Sequence, residues 1–369
     1  MRPSTINRCA TCLCALMVAS IAFSVSGSSQ TMMGGSAEAI AATMARLSIK
    51  LPLHVAGSDP VRRYLEELSR ESCDQKAIAN LGVALDKVGY RREAANAHVS
   101  YSETCGGHAP SLRAAVNILL KLSDYDGAAT VASDLIKLEP FYDNGYYLRA
   151  VAYDRGGSPK KAIDDYVTAI ELFGHKDRIS SVSYLAMARG YEKLGQFCDA
   201  VLPIEAWVAL NPARNDNSQT RAIIAEYTAK GKCEAGTTSG EEVFAVPRPN
   251  NVVKLSVAIN GVRGNLILDT GATFVSLKNT FAQKAKVQID QDSAARLHTA
   301  NGVTAGKLGR AATIQLRSLQ AKDVAIVVQT DGQGTYGEGV DGLLGMSFLS
   351  RFKVTIDTQA VKISNRKAK

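Results

Sequence analysis

Metal-binding patterns are missing from this 369-residue sequence. Its five histidines are scattered, no two of them form a His-x-x-x-His pair, and no two cysteines have zinc-finger spacing. Nothing in the chain therefore supports a metal site or a cofactor. Aromatic residues are scarce at 6%, with one tryptophan. The formal net charge is +8, from 43 Lys and Arg against 35 Asp and Glu, but the two signs interleave along most of the chain. Interleaved charge makes a solvated surface and argues against nucleic acid as a partner. What the chain does have is length and 46% hydrophobic residues, more than one ordinary core needs, so two domains are expected. Abundant alanine with few aromatics makes one of them helical.

Long apolar runs are also lacking. Residues 12–25 (CLCALMVASIAFSV) are too few for a comfortable bilayer span. Arg2 and Arg8 precede this run and the small residues SVSGSS follow it, which is the layout of a signal peptide over residues 1–26, cut after Ser26. No cysteine follows in a lipoprotein context, and no membrane span would remain after cleavage; the alternative reading of the same run is an uncleaved anchor. The expectation is export to the periplasm of a Gram-negative cell envelope, or secretion. Of seven cysteines, Cys9, Cys12 and Cys14 leave with the signal, whereas Cys73, Cys105, Cys198 and Cys233 remain. Four cysteines in an oxidising compartment predict two bridges, with three connectivities open on count alone.

After a partly helical segment at 27–72, the chain repeats itself over residues 73–233. Ala94, Ala128, Ala162 and Ala200 recur at steps of 34, 34 and 38 residues. In phase with them run small residues (Gly82, Ala150, Ala188), large ones (Leu85, Leu119, Tyr153, Tyr191), and Pro140 and Pro212 at helix ends. This resembles a tetratricopeptide array of about four helical hairpins with a capping helix near 220–230. The resemblance implies stacked units sharing one core and a concave surface for a protein partner. Tyrosines and Trp207 belong to that core. Cys73 would precede the first helix of unit one and Cys105 would end its second, at one edge of the hairpin. Cys198 falls at the turn of unit four and Cys233 at the end of the cap. The expected bridges are Cys73–Cys105 and Cys198–Cys233.

Residues 234–242 are small and polar and read as a linker. Beyond them Val253, Leu255, Val257 and Ile259 alternate, and Asn260-Gly261 marks a tight hairpin. Similar strands recur at 311–316, 323–328 and 352–357, so residues 243–369 form a small all-β domain and the whole chain is multidomain, α plus all-β. Asp269 interrupts an apolar run, LILDTGATFVSL, which is costly for a carboxylate unless its hydrogen bonds are supplied. About seventy residues later comes DGLLGMSFL, and between the two lies a hairpin with its tip near Asn301-Gly302.

In that order and spacing, residues 243–369 resemble a retropepsin-like aspartic protease domain of the bacterial Asp-Thr-Gly-Ala and Gly-Leu-Leu-Gly type. The resemblance implies a small β-barrel in which Asp269 is catalytic and Thr270, Gly271 and Ala272 complete its loop. Leu343, Leu344 and Gly345 would support that loop, and Thr299, Ala300, Asn301, Gly302 and Val303 would form a flap over a protein or peptide substrate. Asp-Thr-Gly occurs once, since Gln359 stands where a second motif (Asp357, Thr358) would need glycine. A homodimer sharing two Asp269 carboxylates is then the natural assembly of an aspartic endopeptidase. The linker occupies the N-terminal side, so the dimer sheet need not copy that of viral relatives. The alternative is a catalytically inactive protease-like and repeat protein that serves as a scaffold in the envelope. The glycine-rich loop 329–341, with Tyr336 as its one large residue, reads as a mobile connector, and the basic residues 365–369 as a solvated tail.

Overall fold

The computed structural model describes residues 28–175, 178–247, 252–299, 302–329 and 336–365. The expected signal peptide (1–26) lies outside them, as do the flap-tip residues Ala300 and Asn301. Helices come first: α1 (Ser28–Arg46), α2 (Leu53–Ala56), α3 (Val61–Arg70), α4 (Gln75–Lys87), α5 (Arg91–Thr104), α6 (Ala109–Lys121), α7 (Tyr125–Leu138), α8 (Asp143–Arg155), α9 (Pro159–Leu172), α10 (Ser181–Lys193), α11 (Phe197–Leu210), α12 (Pro212–Asn215) and α13 (Ser218–Gly231). The pairs α4/α5, α6/α7, α8/α9 and α10/α11 are the repeat hairpins, and α13 packs on α11. None of the described helices is long and apolar enough to cross a membrane.

Local chemistry fixes the helix starts. Asp74 accepts from the amides of Lys76 and Ala77, Asp124 accepts from that of Gly127, and Asn217 with Thr220 forms a capping box on α13. Gly82 lets the two helices of unit one touch, since a Cβ there would lie 2.3 Å from His98 Nε2. The bridges are Cys73–Cys105 and Cys198–Cys233, the pairs expected from their places in the repeat.

The β region contains β1 (Glu242–Ala245), β2 (Lys254–Ile259), β3 (Val262–Leu268), β4 (Val275–Lys278), α14 (Asn279–Lys284), β5 (Gln288–Ile289), β6 (Ala295–Thr299), β7 (Gly302–Leu316), β8 (Leu319–Gln329), β9 (Gly342–Leu344), α15 (Met346–Leu349), β10 (Lys353–Ile356) and β11 (Ala360–Ser364). Strands β1, β11 and β10 make a small sheet, and β2-β3-β9-β4-β8-β7-β5 a larger one, with β6 paired to β7. The barrel is partial, because β2 returns to β7 over only two residue pairs, Ala258↔Gln315 and Ile259↔Ile314. Asn260 (φ 48°) and Gly261 (φ 83°) form the two-residue turn between β2 and β3, both in the left-handed region that such a turn requires. Val253, Leu255, Val257 and Ile259 all face the core.

Two features depart from a picture of beads on a string. One apolar core runs without interruption from the second half of the array (Tyr166, Tyr184, Tyr191) into the β region (Val257, Leu277, Phe348). The expected linker is stitched down as well. Gly236 lies against the Phe352 ring, Thr237 exchanges two backbone hydrogen bonds of 2.8 Å with Gln320, and Thr238 bonds Ser318. Its small polar residues suit this close backbone approach; they do not make a free tether.

Candidate active site

Asp269 follows β3 directly, and β3 pairs in parallel with β9 through Leu266↔Gly342, Ile267↔Leu343 and Leu268↔Leu344. The Asp269 amide donates to the Leu344 carbonyl at 3.1 Å. The chain then turns back along α15. The Met346 amide donates to Ala272 O (2.8 Å), that of Ser347 to Thr273 O (3.0 Å), and the Val275 amide donates to Ser347 Oγ (2.9 Å). The acid-bearing loop is thus threaded beside Leu343, Leu344 and Gly345, the residues assigned to its support. Glycine is required at 345 by lack of room, because a Cβ would lie 2.1 Å from Phe274 O and 2.7 Å from Ala272 O.

The Asp269 carboxylate accepts from the Gly271 amide at 2.8 Å. In the single chain it is half-buried, where its apolar flanks suggested a buried acid. Thr270 is also half-buried, and its hydroxyl makes no hydrogen bond among the described residues. The flap strands close at Thr299↔Gly302, one step inside His298↔Val303.

Sequence reasoning missed three contributors. Ser347, fully buried, ties α15 to β4 through Val275. Asp341 clamps β3, its carboxylate accepting from the Asn265 amide (2.8 Å) while its own amide donates to Asn265 O (2.7 Å). Tyr336 is pinned to β4 by a hydroxyl contact with Ser276, and burial pushes its phenol well above the usual range. At Tyr336 the loop after β8 is therefore held, although it reads as mobile in sequence; residues 330–335 lie outside the described part. Asp357, the residue of the incomplete second motif, accepts from the amides of Gln359 (2.7 Å) and Ala360 (2.8 Å) and shapes the β10–β11 turn. Among the described residues no cluster of His, Cys, Asp or Glu is placed to hold a metal.

A cavity of about 460 Å³ opens between array and β region, walled by Lys160, Tyr191, Phe274, Asp290 and Arg310 among others. Asp269 is not part of its wall.

Parts of the chain are similar to known proteins. Residues 255–351 match the family described as "gag-polyprotein putative aspartyl protease". Among solved structures, a retropepsin-like aspartic protease from Rickettsia conorii is similar at 22% identity over 34% of this chain and 93% of its own, with a TM-score of 0.27. A MamA fragment from Desulfovibrio magneticus is 19% identical over 49% of this chain and 98% of its own (TM-score 0.36). A thermophilic tetratricopeptide protein of Thermus thermophilus is 19% identical over 42% of this chain and 82% of its own (TM-score 0.31). No curated protein matches the sequence.

Proposed function

Given a C-terminal retropepsin-like aspartic protease domain joined to a tetratricopeptide-type array, we propose that this chain is an aspartic endopeptidase working as a homodimer. Each copy supplies one Asp269. Two carboxylates a few ångströms apart cannot both ionise cheaply, so the pair holds one proton and titrates as a unit. The ionised acid takes a proton from a bound water as that water attacks the scissile carbonyl. The protonated acid hydrogen-bonds the carbonyl oxygen and later passes a proton to the leaving amine. Thr270 bonds its counterpart across the two-fold axis, and the flap covers the peptide.

The observation that carries this reading is the Asp269 loop itself, a carboxylate held by the Gly271 amide on a backbone threaded beside Gly345. A half-buried acid next to a half-buried Thr270 is what one half of a shared site needs. The small sheet offers further support, since β1 and β10 are its outer strands and carry exposed Val243 and Ile356. The two disulfides suit an oxidising compartment, consistent with export by the leading signal. The free helices of the array would recruit a protein substrate or partner. The test is cleavage of a denatured protein by the full-length chain, which Asp269→Asn should abolish while leaving circular dichroism unchanged. Full activity in that variant would end this reading.

A further inference from the structure

The flap strand is held from outside by the helical array. In the β6–β7 ladder alternate amides of β6 point toward β7 and the others point away. Two outward amides, that of Ala294 just before β6 and that of Arg296 within it, find acceptors on α9: Ala294 N donates to Asp164 Oδ2 at 3.0 Å and Arg296 N to Thr168 Oγ1 at 2.9 Å. Four residues along a helix advance about 6 Å and two along a strand about 6.7 Å, so side chains at i and i+4 keep pace with every second amide. One step earlier in the same stripe, Lys160 holds Asp290 at 2.8 Å, just ahead of the strand. Thr168 cannot turn away, because its own proton is committed to the Asp164 carbonyl at 2.9 Å. Midway along β7, Arg310 pairs with buried Asp199 of α11.

An ordinary outer helix of a repeat array would leave this stripe in water. Here Asp164 and Thr168 are buried, and their polar atoms serve the edge of a strand that would otherwise be open. We propose that α9 is the outer anchor of the flap strand, with Lys160, Asp164 and Thr168 as positioning residues that fix β6 and so limit how far β6 and the start of β7 move over bound peptide. This rests on the protease reading for its catalytic consequence, while the anchoring stands on geometry alone. The array then has a role in catalysis besides recruitment, and it acts only in the same chain as the flap it holds.

The experiment uses the full-length chain with Thr168→Val, which keeps shape and removes the acceptor, and with Asp164→Ala/Thr168→Val. Amide hydrogen exchange of the peptide carrying residues 294–299 is measured against the β2–β3 hairpin as internal reference. Exchange at β6 should speed up by about tenfold in the double variant, less in Thr168→Val, with the β2–β3 hairpin unchanged. Asp164→Asn keeps an acceptor oxygen and should restore most of the protection. For peptide cleavage, KM should rise by about fivefold in the double variant with kcat within about twofold, because the bound flap loses preorganisation. Unaltered exchange at β6 would overturn the anchor. Faster exchange with unaltered KM would overturn the positioning role. A wild-type chain without peptidase activity would sink the protease reading, and the exchange result would still decide the anchor.

Discussion

Replacing Gly345 by alanine should unfold the crossing that presents Asp269. Gly345 has an extended backbone (φ −94°, ψ −171°) that any residue can adopt, so conformation does not demand glycine. Space does. The added methyl would lie 2.1 Å from Phe274 O, 2.6 Å from Phe274 C and 2.7 Å from Ala272 O, all main-chain atoms of the loop that carries the acid. None of these is the end of a side chain that could swing aside. Relief requires parting α15 from the loop, which stretches the bonds from Met346 to Ala272 and from Ser347 to Thr273. Overpacking of this kind costs about 1–3 kcal/mol, and two weakened hydrogen bonds add roughly 0.5–1.5 kcal/mol each. A destabilisation of about 2–6 kcal/mol follows, with a fall in melting temperature of roughly 3–8 °C for a chain of this size. The assay is thermal unfolding followed by near-ultraviolet circular dichroism, with Gly240→Ala as control. Nothing lies within 4 Å of a Cβ at Gly240, so its effect should stay within about 0.5 kcal/mol. A Gly345→Ala chain that melts with the control would refute the packing argument.

Arg310→Met should destabilise the chain by about 3–5 kcal/mol in chemical denaturation, because it strands the carboxylate of Asp199, which is 3% exposed and has Oδ1 unbonded. An Asp199→Asn/Arg310→Met double variant should recover most of that loss. Serine at both Cys198 and Cys233 should lower stability by about 3–4 kcal/mol, given a sequence separation of 35, and reductant should then have less effect on the variant than on wild type. The Asp164 carboxyl is pushed up from 3.8 to about 7, chiefly by burial, with Asp165 and Asp290 adding to the rise while the Ala294 amide and Lys160 oppose it; Tyr191 of α10 is also close. A docked state that holds the proton more tightly is favoured fully below the lower value and loses that advantage as pH climbs to the higher. Protection of β6 amides, corrected for intrinsic exchange chemistry, should therefore decline from about pH 4 to pH 7 in wild type and stay level in Asp164→Asn. Equal decline in both would remove Asp164 as the titrating group.

Much of this architecture could be read from residue order. A period of 34 residues is set by the length of a helical hairpin, so Ala94, Ala128 and Ala162 announce it however far the rest of the motif drifts. Asn260-Gly261 specifies its turn because few other pairs tolerate two left-handed residues. Gly345 and Asp269 were legible as a pair only through the family resemblance, which threads the acid loop beside a hydrophobic-hydrophobic-Gly strand; the lack of room for a side chain at Gly345 is seen in the structure alone. The union of array and β region was not legible. Lys160 and Asp290 are 130 positions apart, and Asp199 and Arg310 are 111 apart, and such pairings carry no periodicity. One trace was present: α9 places Asp164, Asp165, Thr168 and Glu171 where each ends buried, more polar groups than a helix buried on all sides needs for packing. The half-exposure of Asp269 was equally invisible, since apolar neighbours in sequence say nothing about which face a second copy would cover.

Mixing tests the shared-acid claim most directly. Full-length wild type and Asp269→Asn chains, combined at equal amounts and refolded together so that subunits exchange, should sort statistically, leaving about one quarter of dimers with two acids. Peptidase activity per wild-type chain should then fall to about half, and more variant should lower it further. Activity that tracks the number of wild-type chains, unaffected by added Asp269→Asn, would show that one Asp269 suffices and would contradict the dyad.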